Sequence, residues 1–235
     1  MSSHASLVSV IMPALNEGAH IADAVAAARR DYGPDEVEII VVDGGSTDGT
    51  LDCVPTPERV IDAPPGRARQ MNRGATLAHG DCLVFCHADT HLPAGWREAV
   101  VEALNKPGVS GGSFAIRLEP ARGILHLLNA LRYPADWRLM YGDQAQLTSR
   151  VAFERVGGYP DLSLMEDLEM MHRLDRIGRL VRIPLAVVSS SRRFLERGPL
   201  PQFLLNVTLV LRYLYLGADP EALAEIYYGR GEGGG

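Results

Sequence analysis

Three apolar runs in the first part of the chain each stop abruptly on a carboxylate or an amide, and this pattern constrains the fold more than any other feature. Val8-Ser9-Val10-Ile11-Met12-Pro13 leads into Asn16 and Glu17, Val37 to Val42 into Asp43, and Leu83-Val84-Phe85-Cys86 into His87-Ala88-Asp89. Runs of this length bounded by turn residues read as strands. The second, with Ile39, Ile40, Val41 and Val42 in succession, suits an interior parallel strand covered on both faces. Between the runs lie an Ala-rich helix, from Asn16 or Glu17 to about Arg30, and a helix from Arg67 to His79. Gly33-Pro34 and Pro64-Pro65-Gly66 punctuate them, and Arg59 to Ala63 supplies a further short strand. Such alternation specifies a parallel sheet with right-handed crossovers. The strand ends then share one edge, where ligands of open α/β sheets bind.

A chain of 235 residues, 46% hydrophobic, buries roughly 70 to 75% of its unfolded surface and needs no staples. One α/β domain is expected over residues 1–230, with a nucleotide-binding type of half at 7–106, a second half at 107–195, helices at 199–229 and a flexible tail at 231–235. In the second half, Val109 to Leu118 and Gln144 to Ser149 read as strands, and Ala121 to Leu131 and Met165 to Ile177 as helices. This order predicts antiparallel additions to the same sheet. A net charge of -6 argues against nucleic acid as a partner. Cys53, Cys82 and Cys86 form no closed disulfide set and no secretory leader is evident, so a cytoplasmic protein is expected. Cys82, Cys86, His87 and His91 have the composition of a zinc site, but the even spacing of Cys82 and Cys86 in a strand favours core cysteines.

Neither of the two common glycine-rich phosphate loops is present, and Pro13 to Gly18 lacks the Gly-rich, basic loop that a sugar-phosphate nucleotidyltransferase would carry. A nucleotide would instead be held by side chains, Glu17 and Asp43 at its base, with magnesium or manganese on Asp89 gripping the diphosphate. Each candidate also has a structural reading. Asp89 would cap a helix starting near Pro93, and Glu166-Asp167 would supply negative charge to a helix N-terminus. Arg67, Arg69 and Arg73 form either a solvated face or a diphosphate grip.

Val8 to Glu17, Val41 to Thr50 with Asp43-Gly44-Gly45-Ser46, His87-Ala88-Asp89, Gly157-Gly158-Tyr159 and Glu166-Asp167, in this order, resemble the family-2 glycosyltransferases of the GT-A fold. The resemblance covers about residues 7–190. Gly66 to Ala75 and the His-Ala-Asp-Thr form are similar to a small bacterial subgroup named after arsenosugar or carotenoid glycoside biosynthesis. The fold implied is Rossmann-like, a mixed, mostly parallel sheet flanked by helices. The activity implied is inverting transfer of a sugar from a nucleoside diphosphate sugar, usually a UDP-sugar, to a hydroxyl acceptor.

On this resemblance Pro13, Ala14, Asn16, Glu17 and Asp43 surround the donor's base, and Asp89 takes the metal-binding second position of an Asp-x-Asp motif beside His87 and Ala88. Gly66, Arg69 and Asn72 complete the donor side, and Arg192 and Arg193 are expected on a mobile loop over the diphosphate. Asp167 is implied as general base, with Gly112, Ser113, Tyr159 and Glu166 on the acceptor side. Two departures stand out. His87 replaces the motif's first acid, and the family's later metal-binding His has no counterpart around Ser189 to Phe194, which leaves the ion to Asp89 and water. Phe114, Trp137, Tyr141 and Tyr159 either line an acceptor channel or belong to the core. Residues 200–216 are too polar to span a bilayer and predict a packed helix, or an interfacial or homo-oligomer contact, paired with a helix over Pro220 to Tyr228.

Overall fold

The computed structural model describes residues 6–130 and 135–229. Strand β1 (Val8–Ala14), helix α1 (Ile21–Arg29), β2 (Val37–Asp43), β3 (Arg59–Asp62), α2 (Arg67–Leu77), β4 (Cys82–Phe85), β5 (Thr90–His91) and α3 (Trp96–Leu104) form the first half. The second comprises β6 (Val109–Glu119), α4 (Ile124–Ala130), β7 (Gln146–Ser149), α5 (Arg150–Val156), α6 (Glu166–Asp175), β8 (Arg179–Ser190), α7 (Arg192–Arg197), α8 (Pro199–Leu216) and α9 (Pro220–Tyr228). Helix α4 lies within the segment Ala121 to Leu131 that the sequence predicts as helical; Leu131 is outside the described residues, as is the tail at 231–235.

All strands join one sheet in the order β3-β2-β1-β4-β7-β6-β8-β5. The first four are parallel, β7 runs antiparallel to both β4 and β6, β8 is parallel to β6, and β5 closes the far edge antiparallel to β8. Alternation along the strands explains the layering. Val10, Met12, Ile39, Val41, Cys82, Val84 and Cys86 face α1 and α3, whereas Ile11, Ile40, Val42, Leu83 and Phe85 face α2, α5 and α6. Cys82 and Cys86 are therefore core residues, and burial pushes the Cys86 thiol far up, away from reactive thiolate.

Two elements depart from expectation. Strand β8 is the longest in the sheet, and no strand was expected there. Its register against β6 shifts between Phe114 and Ala115, the partners passing from Ile183 to Ala186, and Pro184 sits in that bulge, where a missing N–H costs no ladder bond. Gly111-Gly112 does not interrupt β6, because the backbones approach closely there: a Cβ on Gly112 would run into the Val181 carbonyl. Helices α8 and α9 pair, and Leu209 and Leu223 join Leu164, Met165 and Leu168 at the start of α6 in a separate small core. Among the described residues no helix is long and apolar enough to cross a membrane.

Candidate active site

A cavity of about 480 Å³ opens at the carboxyl edge of β1 and β4. Pro13, Ala14 and Glu17 reach it from β1, and His87, Ala88 and Asp89 from β4. Strand β7 is antiparallel to β4, with Gln146 opposite Phe85, so the residues preceding β7 fall at the same edge. These are Tyr141, Gly142, Asp143 and Gln144. Arg67 and Gln70 enter from the first turns of α2, Met165 and Asp167 from the start of α6, and Arg192 and Arg193 from α7.

The Asp167 carboxylate is fixed by two amides, accepting from Gly142 N–H at 2.7 Å and from Leu168 N–H at 2.8 Å. A helix start favours a negative charge there. Gly142 also leaves room for the imidazole beside it, since a Cβ on that residue would lie 2.9 Å from His87 Nε2. Burial and the Arg67 guanidinium push the His87 pKa down to about 4, so the ring is neutral at ordinary pH. Arg67 is paired with the buried Glu166 at 2.8 Å and brings one fixed positive charge to a cluster of acids.

The acids around it are short of partners. Asp143 Oδ1 is buried with none, and burial together with Asp167 and Asp89 pushes its pKa up to about 7. Glu17 Oε2 is likewise buried without a partner, and burial, then Asp89, raise its pKa against the pull of Arg192, 3.5 Å from Glu17 Oε1. Thr90 Oγ1 approaches Asp89 Oδ1 only at 3.4 Å. The set fits a divalent cation of the magnesium or manganese kind, which takes one or two carboxylates and completes its shell with water and phosphate oxygens. Among the described residues no group of three His, Cys, Asp or Glu side chains could hold an ion unaided.

Other residues singled out from the sequence are engaged elsewhere. Asp43 is buried and its carboxylate accepts from Gly45 N–H, Ser46 N–H and the Ser46 hydroxyl, so it organises the turn after β2. Asn16, at φ 55°, clamps that turn through Ser46 and Thr47. Gly66 caps α2, and Arg69 pairs with Asp161 in solvent. The Asn72 amide is taken up by the backbone of Tyr159, whose ring packs in the core on Phe85 and Phe153 and whose hydroxyl donates to Gln146. Ser113 is buried with Gln144 and Arg182. Of the four aromatic candidates Tyr141 lines the cavity; Phe114 is core and Trp137 stacks on His172. Arg192 and Arg193 lie on the first turn of α7, not on a loop, which corrects the expectation for this segment.

Reasoning from the sequence missed Asp143, Gln70 and the α8 wall. Gln70 Nε2 donates at 2.8 Å to both Ala14 O and Val42 O, tying the ends of β1 and β2. The signal for Asp143 lay in strand direction, because the start of an antiparallel β7 must fall where the parallel strands end.

The glycosyl transferase family 2 model matches residues 9–152, more than half of the chain. This chain belongs to glycosyl transferase family 2. Residues β1 through β7 of the fold thus carry the family's domain, and the sheet is the GT-A type. A PGL/p-HBAD biosynthesis glycosyltransferase of Mycobacterium bovis is 40% identical over 97 residues, 37% of each chain. Succinoglycan biosynthesis protein ExoA of Rhizobium meliloti is 26% identical over 76% of this chain and 60% of its own. This family-2 chain therefore spans less than two thirds of the length of those relatives. Among solved structures, the mannosyltransferase PcManGT of Pyrobaculum calidifontis, in complex with GDP-Man and Mn2+, superposes with a TM-score of 0.61 at 26% identity, over 77% of this chain and 56% of that one. TarS of S. aureus (residues 1–349) shares the fold at a TM-score of 0.64 and 15% identity, over 94% and 69% of the two chains.

Proposed function

We propose that this domain transfers a sugar from a nucleoside diphosphate sugar to a hydroxyl acceptor with inversion, Asp167 acting as general base. The observation that carries this reading is that Asp89 and Asp167, from opposite halves of the fold, face one cavity together with Arg67, Arg192 and Arg193. The order of family motifs favours a UDP-sugar, and a GDP-sugar is the competing donor.

In this reading Glu17 and the backbone around Ala14 hold the base and ribose, and Arg192 and Arg193 neutralise the diphosphate. Asp89, with Asp143 beside it, would hold magnesium or manganese. Such an ion supplies Lewis-acid stabilisation to the departing diphosphate. Asp167 keeps lone pairs beyond the two amide bonds it accepts, so it can take the proton of the attacking hydroxyl. The transition state at the anomeric carbon carries positive charge on the sugar, which the surrounding carboxylates favour. Neutral His87, hemmed in by Gly142, shapes the sugar pocket in place of an acid.

Calorimetric titration with UDP and GDP, with and without manganese, tests the donor site. Metal-dependent binding of one nucleotide is expected, weakened about tenfold or more in Asp89→Asn. Absence of binding by either nucleotide, with or without manganese, would overturn the reading.

A further inference from the structure

Helices α7 and α9 meet at one aromatic side chain. Helix α9 starts on the Asp219 carboxylate, which accepts from Glu221 N–H, with Pro220 in its first turn. It buries Leu223 and Ala224 in the small core with Leu209. Tyr227 follows these two at four and three residues, so the same face of α9 carries it on to α7 and into the lining of the cavity.

Arg193 and Arg197 of α7, four residues apart, both turn to Tyr227. Arg193 Nη1 donates to the Tyr227 hydroxyl at 3.1 Å, and its guanidinium carbon lies 5.4 Å from the Tyr227 ring centre and 5.8 Å from that of Tyr228. Arg197 Nη1 donates at 2.8 Å to the Tyr227 carbonyl, at the negative end of α9, and its guanidinium carbon lies 5.7 Å from the same ring.

Three arginines line the cavity, Arg67, Arg192 and Arg193, and their partners differ. Arg67 pairs with Glu166 at 2.8 Å and Arg192 with Glu17 at 3.5 Å. Arg193 has no carboxylate partner among the described residues, and two tyrosines hold it instead. A carboxylate offsets the charge of a guanidinium, whereas an aromatic face holds the cation and leaves its charge whole. That charge is felt across the cavity, by Glu17 beyond β1 and by His87 beyond β4. Tyr227 takes one of the five N–H donors of the guanidinium and leaves the others for an anion.

We propose that Tyr227 is a positioning residue, which holds Arg193 unneutralised as the seat of the donor's diphosphate. The word donor rests on the transferase reading; the arginine and its two tyrosines stand on their own contacts. Arg192, paired with Glu17, has the lesser part. Helix α9, outside the residues 9–152 that the family model matches, thereby takes part in binding the anion.

The test is calorimetric titration with inorganic pyrophosphate, UDP and GDP, each with magnesium. It compares the wild type with Arg193→Ala, Tyr227→Phe, Tyr227→Leu and the double variant of Arg193→Ala with Tyr227→Leu. Arg193→Ala is expected to weaken each of the three that the wild type binds by about tenfold. Tyr227→Leu should weaken them about two- to fivefold, and Tyr227→Phe, which keeps the ring, less than that. In the double variant Tyr227→Leu should add nothing to the loss from Arg193→Ala, because it acts through that residue. Full addition of the two losses would overturn the positioning role, and unchanged affinity in Arg193→Ala would overturn the seat while the transferase reading stands. If pyrophosphate binds and weakens as expected while neither nucleotide binds, the transferase reading fails and the anion seat remains. No binding of any of the three overturns both.

Discussion

The two halves of this molecule deliver functional groups in different ways. From β1 to α3, most side chains reach the cavity from the ends of parallel strands, next to the apolar runs that form those strands, and Arg67 and Gln70 join them from the first turns of α2. From β6 to α9, they come from the irregular approach to β7, the first turn of α6 and the walls of α7 and α8. In the proposed reading the first half therefore fixes where the nucleotide base and the metal sit. The second fixes what can approach them. Strand ends in a parallel sheet are held by the ladder itself, whereas Asp167 is held by amides contributed from two separate segments.

The sharpest test of this division is Asp167→Asn. If Asp167 is the base proposed above, an amide of the same shape keeps the space filled but removes it, so turnover is expected to fall by roughly a hundredfold to ten-thousandfold. Nucleotide affinity, which in the proposed reading rests on Glu17, Asp89, Arg192 and Arg193 and not on Asp167, should stay within about threefold. Measuring kcat together with calorimetric Kd separates the two, and a parallel loss of both would show that the halves do not act independently.

The same contrast explains what could be read from the sequence. β1, β2, β4 and their helices were legible because apolar runs, turn residues and helical segments alternate with little ambiguity, and Glu17, His87 and Asp89 follow directly from those strand ends. β8 was not, since Pro184 and Arg182 break its apolar pattern and its pairing depends on a bulge that only the partner strand explains. Asp143 was hidden because its position depends on the direction of β7, a tertiary property. Asn72 and Tyr159 carry the residue types of a binding site, yet their hydrogen bonds run to each other and to Gln146. Residue type fixes what a group can do; only packing decides where it does it.

Gly112→Ala tests the seam on which the second half is assembled. The added Cβ would meet the Val181 carbonyl, a backbone atom that cannot rotate away, so β6 and β8 must separate locally. A loss of about 3 kcal/mol is expected, at the upper end of overpacking costs. Denaturant unfolding measures it. A loss below about 1 kcal/mol would mean that the strands yield more easily than their close approach implies.

Tyr159→Phe probes a residue whose type suggested the acceptor side and whose packing belongs to the core. The change leaves buried Gln146 Oε1 without its donor, for a cost of about 1 to 3 kcal/mol in chemical unfolding. KM for the acceptor should not move. A raised KM with unchanged stability would return Tyr159 to the acceptor site.

Arg69→Ala is expected to do least, and that makes it informative. Its guanidinium pairs with Asp161 at 2.9 Å, but both side chains are more than half exposed, so the pair is screened by solvent and salt and contributes little. Arg67, two residues earlier, is turned inward against Glu166 and lines the cavity, whereas Arg69 does not. Helical geometry separates them by about 200°, which places the two guanidinium groups on different faces of α2. UDP affinity should accordingly be unchanged in Arg69→Ala when titrated with manganese. A tenfold loss would mean that Arg69 leaves Asp161 to meet the diphosphate, and that the first half completes its site only when the donor is bound.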